Sequence, residues 1–122
     1  MQPLVLCADV GGTQIKTGLL DASRRPAAPI RRADARAALP RQQLLAHMAA
    51  CLLAAAQAAP PRSVQGVRVG KPGPVEYPPG ICKIEGLGKY GALYNADLRA
   101  ELGSRLAPAL GAAAADIRFQ ND

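Results

Sequence analysis

Aromatic side chains are scarce in this chain of 122 residues, which has three tyrosines, one phenylalanine and no tryptophan. A core built on packed rings is therefore excluded, and the core has to be assembled from aliphatic side chains and alanine. Hydrophobic residues still make up 49% of the chain, which is typical of a globular protein and excludes a highly charged disordered one. The length fits one domain and is too short for two.

Cysteine is also rare, and its spacing excludes two classes of site. Cys7, Cys51 and Cys82 are far apart, odd in number and never part of a CxxC pair. This pattern excludes a zinc knuckle and a disulfide framework, and it favours buried free thiols in a reducing compartment. We therefore predict a cytoplasmic location.

Long apolar runs are missing as well. The longest, residues 48–56, is about half of the ~20 residues that a membrane-spanning helix needs. The first residues lack the basic segment of a secretory signal and reach an acidic side chain at Asp9. The sequence therefore predicts no membrane partner.

Acidic residues are few, so that 15 Lys and Arg against 9 Asp and Glu leave a net charge of +6. Positions 24–41 supply most of it, because six arginines stand there against one acid, Asp34. We interpret this window as a solvated, Arg-rich edge strand and loop. The alternative is a nucleic-acid patch, but the window has no aromatic residue for base stacking and follows no helix-turn-helix pattern. The arginines are Arg24, Arg25, Arg31, Arg32, Arg36 and Arg41.

The hydrophobic periodicity predicts an α/β chain with the order strand, strand, strand, helix, strand, helix, strand. In the second strand, Ile15, Thr17 and Leu19 alternate with polar residues and are assigned to one face. Asn95 or Asp97 can cap the second helix. The predicted strands are 4–10, 14–20, 30–36, 64–70 and 116–120, the first helix runs from Pro40 to Pro60, and a short hairpin arm is predicted at 80–84.

Each predicted helix carries one apolar stripe. His47 falls off the first stripe and is expected to be an exposed side chain. In the second helix, Gly103 should weaken the helix and Pro108 should bend or end it. The first stripe consists of Leu44, Met48, Cys51, Leu52 and Ala55, and the second of Leu98, Leu102 and Leu106.

The segment Asp9-Val-Gly-Gly-Thr13, at the end of the first predicted strand, is the first candidate for chemistry. A carboxylate that ends a buried strand is costly unless it binds something. Two glycines allow backbone N–H groups to approach a phosphate closely, and Thr13 adds a hydroxyl donor. The segment is neither a Walker A loop nor a dinucleotide fingerprint. A simple hairpin turn is the alternative interpretation of the two glycines.

Three motifs, taken in order, resemble the ROK family of repressors, open reading frames and sugar kinases. The first is Asp9-Val-Gly-Gly-Thr13, followed by a second strand that contains Lys16. The second is the loop Gly70-Lys-Pro-Gly-Pro-Val75, which is similar to the family's Gly-x-Pro-Gly-Pro loop. The third is Asn121-Asp122, directly after a strand. Together these motifs cover nearly the whole chain, and they are closest to a glucokinase-like hexose kinase.

The resemblance implies a ribonuclease H-like domain of the actin-like ATPase and sugar kinase type, with a mixed sheet in the order βββαβαβ. It also implies ATP-dependent phosphorylation of a sugar, with ATP and Mg²⁺ as cofactors. By position, Gly11, Gly12 and Thr13 would cradle the phosphates of ATP, and Asp9 would serve the Mg²⁺ site. Lys16 also matches a family position, but a strand lysine that points to solvent is the simpler interpretation.

The same resemblance assigns the sugar side of the site. Gly73 would line the sugar pocket, Asn121 would hold a sugar hydroxyl, and Asp122 would take its proton as the general base. A Trp-containing segment that many members carry near the sugar is absent from residues 84–95, so the sugar cannot be named. Tyr90 and Tyr94 could replace its packing or stack on a sugar ring.

The family continues beyond the Asn-Asp pair into a second domain that completes the ATP and sugar sites. We therefore expect residues 1–122 to be the N-terminal lobe of such a kinase, inactive alone and dependent on a missing C-terminal lobe or a homodimer partner. The alternative is a non-catalytic regulatory remnant that binds sugar or phosphate. A basic protein that binds nucleic acid through the arginine window is a third, less favoured hypothesis.

Overall fold

The computed structural model describes residues 3–71, 75–76, 81–82 and 97–121, and its main element is a five-stranded mixed sheet. Its strands are β1 (Leu4–Val10), β2 (Gln14–Leu20), β3 (Arg31–Asp34), β4 (Val64–Lys71) and β7 (Ile117–Asn121), in the spatial order β3-β2-β1-β4-β7. Two short strands, β5 (Val75–Glu76) and β6 (Ile81–Cys82), form a separate hairpin. The helices are α1 (Arg41–Ala56) and α2 (Leu98–Leu110), and a 3₁₀ helix follows at Gly111–Ala115.

The sheet combines two kinds of pairing. Strands β1, β2 and β3 form an antiparallel meander, whereas β1, β4 and β7 run parallel to one another. The parallel strands are joined through α1 and α2, because a parallel connection needs a crossover. The predicted order of strands and helices is confirmed for this sheet, and β6 of the separate hairpin falls within the predicted hairpin arm at 80–84.

Strand alternation decides which side chains form the core. In β1, Leu4, Leu6, Ala8 and Val10 are buried, and the residues between them lie on the opposite face of the sheet. The predicted buried face of β2 is confirmed, since Ile15, Thr17 and Leu19 are at most 3% exposed. Helices α1 and α2 pack on this core face and on each other. In the described part of the chain, Phe119 is the aromatic member of an otherwise aliphatic core.

Helix α1 begins after Pro40, as predicted, and ends at Ala56, before the Pro60-Pro61 pair. Its buried stripe is confirmed, except that Cys51 is only half-buried. His47 lies off the stripe, as predicted, but it is half-buried rather than exposed. Its Nε2 lies 2.6 Å from the carbonyl oxygen of Asp34. Because a carbonyl oxygen can only accept, this nitrogen donates, and the bond ties α1 to β3.

Helix α2 is capped by Asp97, whose carboxylate accepts the backbone N–H of Ala100 at 3.1 Å. The expectation that Pro108 could end the helix is wrong, because the helix continues to Leu110. The closing segment contains Gly111 at φ +58°, a left-handed conformation that favours glycine. The alanine run that follows belongs to the 3₁₀ helix.

The arginine window is confirmed as a solvated edge. β3 is an outer strand of the sheet, and both of its arginines, Arg31 and Arg32, are exposed. Charged side chains along an edge strand discourage pairing with another chain. This strand is shorter than the predicted 30–36, since it begins at Arg31 and ends at Asp34, two residues before the positive φ of Arg36.

Other predictions are corrected or lie outside the described residues. Cys7 and Cys51 are free thiols, but each is half-buried rather than buried. Of the predicted hairpin arm, only Ile81 and Cys82 are described. The segment with the two tyrosines lies outside the described residues. Neither helix in the described ranges is long and apolar enough to cross a membrane.

An ion pair on the outer face of the sheet uses the space above Gly66. Arg68 Nη1 donates to the carbonyl oxygens of Val67 and Asp116 at 2.9 and 3.0 Å, and its Nη2 lies 3.5 Å from the Asp116 carboxylate. A Cβ on Gly66 would stand 2.8 Å from Arg68 Nη1 and 2.9 Å from Asp116 Oδ2. Gly66 therefore makes room for the link between β4 and β7.

We expect Gly66→Ala to lower the free energy of unfolding by about 1–2 kcal/mol, since the added methyl group displaces this ion pair. The measurement is urea denaturation. Gly18→Ala is the matched control, because a Cβ there meets only Cδ1 of Ile30, the end of an exposed and movable side chain. Its cost should be within about 0.5 kcal/mol. Equal costs for the two variants would contradict this account of Gly66.

Candidate functional site

The candidate site lies at one edge of the sheet, where three parallel strands end. β1, β4 and β7 run in the same direction, so their carboxyl ends meet at the same edge. In register, Asp9 pairs with Gly70, and Lys71 pairs with Asn121. The structure therefore brings the backbone of all three motif regions to one edge. In open α/β sheets, ligands bind outside the carboxyl ends of the strands.

Asp9 occupies an outer-face position near the end of β1. Its neighbours Ala8 and Val10 are buried, whereas Asp9 itself is exposed and pairs in register with Lys16 of β2. The sequence argument that this carboxylate is buried and therefore costly is wrong, because strand alternation turns position 9 away from the core. The exposed carboxylate is open to a ligand without a prior desolvation cost.

Asp9 and Lys16 line a cleft of about 390 Å³ on the outer face of the sheet. Its other lining residues include Cys7, Arg68 and Gly70, so β1, β2 and β4 all contribute. The cleft combines one carboxylate with two cationic side chains. Such a charge set suits a metal-bound anionic group better than a bare cation.

The Gly-Gly-Thr turn joins β1 to β2 directly beyond Asp9. The Gly11 N–H donates to the carbonyl oxygen of Gln14 at 2.8 Å, which closes the hairpin. A Cβ on Gly11 would stand 3.1 Å from that same oxygen, so the close approach of the backbone favours glycine here. The simple hairpin interpretation and a phosphate-binding role are compatible, since the turn lies at the ligand edge of the sheet.

Gly12 and Thr13 line a second cleft of about 450 Å³, together with Asp34, Arg36 and the segment 37–40. The loop from β3 to α1 is fastened to the turn, because the Ala35 N–H donates to the Thr13 carbonyl oxygen at 2.9 Å. Asp9 and the Gly12–Thr13 pair thus line neighbouring clefts rather than a single one. Arg36 belongs to the arginine window, and nothing else in the sequence marks it as a site residue.

Helix α1 begins beside the second cleft. Pro40 lines that cleft and precedes the first residue of α1. The first turn of α1 contains no acidic residue, and Pro40 offers no side-chain cap. The positive end of the helix dipole is therefore not offset within its own first turn, and it adds to the positive charge of this region.

Three predicted residues cannot be placed as side chains. Gly73 and Asp122 lie outside the described residues. Asn121 is described through its backbone, which ends β7 opposite Lys71. Within the described ranges, no group of three or more His, Cys, Asp or Glu side chains could hold a metal ion.

The protein was compared with known proteins. No family model and no curated protein matches the chain. Among solved structures, the ROK hexokinase of Thermus thermophilus has a TM-score of 0.75 at 17% identity, covering 97% of this chain and 35% of that one. The polyphosphate/ATP-glucomannokinase of Arthrobacter sp. has a TM-score of 0.71 at 19% identity, covering 98% and 43%. A ROK family transcriptional regulator, a homologue of the E. coli MLC protein, has a TM-score of 0.71 at 19% identity, covering 100% and 28%.

These similarities show that the chain has the fold found in ROK sugar kinases, and they confirm the predicted fold class. The fold is the mixed-sheet, ribonuclease H-like one that the motifs implied. The chain spans about a third of the length of the solved structures that it matches.

Cys7 lines the same cleft as Asp9, and the surroundings of its thiol shift the thiol pKa. Burial raises the pKa of Cys7 above its ordinary value of 9.0, and the nearby charge of Arg68 opposes part of this rise. Burial also raises the pKa of Cys51, where Arg31 opposes the rise. Both thiols are therefore less reactive than free cysteine at neutral pH, because the thiolate is the nucleophile.

We expect iodoacetamide at about pH 8 to alkylate Cys7 and Cys51 more slowly in the folded chain than in urea, since the folded thiolate fraction is lower. The difference between the alkylation rates in the folded chain and in urea should narrow as pH rises above 9.0, the ordinary pKa of the thiol. Because the folded pKa is raised, the protonated thiols stabilise the folded chain at lower pH, and this contribution is lost as pH rises through the folded pKa. Peptide mass spectrometry measures each rate, and equal rates in both states would contradict the raised pKa.

Proposed function

We propose that residues 1–122 form the N-terminal lobe of a ROK-type sugar kinase, which transfers a phosphoryl group from ATP to a hydroxyl of a hexose. The observation that carries this proposal is the convergence of three motif regions at one sheet edge. The turn after β1 and the loop after β4 begin there, and β7 ends there with Asn121 of the Asn-Asp pair. The likeness to solved ROK kinase structures supports the same assignment.

The phosphate side of the proposed site is the turn that follows β1. Backbone N–H groups of Gly11, Gly12 and Thr13 would bind the phosphates of ATP, and the Thr13 hydroxyl is a further donor. Lys16 is exposed on the outer face, in register with Asp9, and could approach the same phosphates. Phosphoryl transfer relies mainly on such positioning and on neutralising charge.

Asp9 would serve a Mg²⁺ ion in this scheme. The fit is to an ion that is held mainly by phosphate oxygens, because Asp9 is exposed and the described residues form no multi-ligand cluster. Mg²⁺ commonly keeps several waters and uses one or two carboxylates plus the phosphates of its nucleotide. When bound, the ion would offset charge on the phosphates.

The sugar side of the proposed site follows β7. We assign Asn121 to binding a sugar hydroxyl, Asp122 to accepting the proton of the attacking hydroxyl, and Gly73 to lining the sugar pocket. The end of β7, which contains Asn121 and precedes Asp122 in the sequence, pairs with the end of β4 at the edge where the phosphate turn follows β1. A base next to this strand end and phosphates bound on the turn would meet the reaction's need for both groups at one edge of the sheet.

The chain spans about a third of the kinase structures that it matches, so one lobe alone would hold only part of each substrate. We propose that a second lobe or a second copy completes the site. We expect the isolated 122-residue chain to show no ATP-dependent hexose phosphorylation in a coupled assay, because half of the nucleotide site is missing. Turnover above the protein-free rate would contradict this expectation.

Substitution of Asp9 tests the nucleotide half of the site. We expect Asp9→Asn to weaken binding of ATP with Mg²⁺ by about fivefold, which corresponds to the loss of one water-mediated contact of about 1 kcal/mol. Hexose binding should be unchanged. Calorimetric titration measures both ligands.

The control for Asp9→Asn is Glu101→Gln, the same loss of charge on α2, where Glu101 makes a surface ion pair with Arg105 at 3.8 Å. Glu101→Gln should bind ATP as the unaltered chain does. If the two variants bind ATP with Mg²⁺ equally, Asp9 has no part in the site.

A second candidate function is a non-catalytic sugar sensor. It is favoured by the likeness to the ROK transcriptional regulator, which covers the whole of this chain. A sensor would bind a hexose in calorimetry without binding ATP. Binding of both ligands would favour the kinase, and binding of neither would count against both candidate functions.

A further inference from the structure

The side chain of Arg36 lies beside the proposed phosphate turn. It lies in the loop between β3 and α1, is exposed, and lines the 450 Å³ cleft together with Gly12 and Thr13. A cleft of this volume is within the range of small-molecule sites. The resemblance that assigns the Gly-Gly-Thr turn says nothing of this position.

The backbone around Arg36 is held at a set distance from the turn. Its N–H donates to Oδ1 of Asp34 at 2.8 Å, and its carbonyl oxygen accepts the Leu39 N–H at 3.1 Å. The preceding residue, Ala35, is fully buried and bonds to the Thr13 carbonyl oxygen. Loop and turn are therefore joined, and a ligand on Gly12 and Thr13 would lie in the cleft that Arg36 lines.

The charge of Arg36 is available to a ligand. Across the ranges that the structure describes, its guanidinium makes no ion pair or side-chain hydrogen bond, whereas Arg68, Arg105 and Arg118 are each paired with a carboxylate. Asp34 is the acid in the same cleft, and its Oδ1 already accepts the Arg36 N–H.

We propose that Arg36 is a phosphate-binding residue, whose guanidinium binds the phosphate chain that rests on the Gly12–Thr13 turn. This inference rests on the proposed function, because it assumes that the turn binds the phosphoryl donor. A guanidinium binds two phosphate oxygens at once, which adds both strength and orientation. The phosphate chain alone is the ligand of this subsite, with no part for the base or ribose.

The test is calorimetric titration of the 122-residue chain with inorganic tripolyphosphate, which carries the phosphate chain without a nucleoside. We expect Arg36→Ala to weaken binding about tenfold, the loss of one charge-assisted bidentate contact. Arg36→Lys should recover part of the affinity, to within about threefold of the unaltered chain, because lysine restores the charge but does not bind two phosphate oxygens at once.

Arg24→Ala is the matched control. Arg24 is also exposed, also in the arginine window, and also left-handed, at φ +63° against +51° for Arg36. Alanine therefore carries the same backbone cost at both positions, and thermal melts of the two variants should agree. Arg24 lies in the segment between β2 and β3 and does not line the cleft. Its removal should therefore change the tripolyphosphate affinity by less than about twofold, because a distant exposed charge is screened by salt.

Three results would overturn the inference, and they separate it from the proposed function. If the unaltered chain binds no tripolyphosphate, the subsite is wrong, and hexose titration then decides whether the sugar side stands. If tripolyphosphate binds but Arg36→Ala and the unaltered chain agree within twofold, the turn binds phosphate without Arg36, and the kinase proposal stands. If Arg24→Ala weakens binding as much as Arg36→Ala, the effect is general charge rather than a subsite.

Discussion

The parallel alignment of β1, β4 and β7 is the constraint on which the rest of this structure depends. Parallel strands end at the same edge of a sheet, so segments more than a hundred positions apart in sequence start from neighbouring points. Residues after Val10, Lys71 and Asn121 thereby become candidates for one site. An antiparallel arrangement of the same three strands would have sent one of these segments to the opposite edge.

That alignment is held by an aliphatic core with little aromatic bulk. Leucines from α1 and α2 pack on the alternating side chains of the sheet, and small residues permit close contacts where large ones would clash. Gly103 of α2 shows the principle, since a Cβ there would stand 3.1 Å from the Ala114 carbonyl oxygen. The low aromatic content and the many alanines thus belong to one packing solution, in which helices and sheet approach closely.

Much of the fold could be predicted because it rests on local patterns. Alternation in β2 and the leucine spacing of α2 each repeat with the period of their element, so the buried face followed from the sequence. The predicted end of α2 at Pro108 is an exception, because the helix continues past this residue. A proline late in a helix loses one backbone bond, and the packing of α2 carries the helix two residues further.

The site was predictable in its motifs and not in its geometry. The sequence identifies Asp9 as a candidate but wrongly predicts its burial, since a run of apolar neighbours does not show which face a single position takes. Arg36 was hidden among six arginines of similar context. It stands out only because the loop before α1 is bonded to the turn after β1.

The sequence by itself determined the order of strands and helices, the apolar faces and the positions of the three motifs, because these depend on residue type and on spacing within one element. The tertiary structure alone decided that Asp9 is exposed, that Arg68 and Asp116 share the space above Gly66, and that Arg36 lies beside Thr13. The physical reason is that such contacts join elements far apart in the chain. Their distances depend on strand register and helix packing, which no local pattern records.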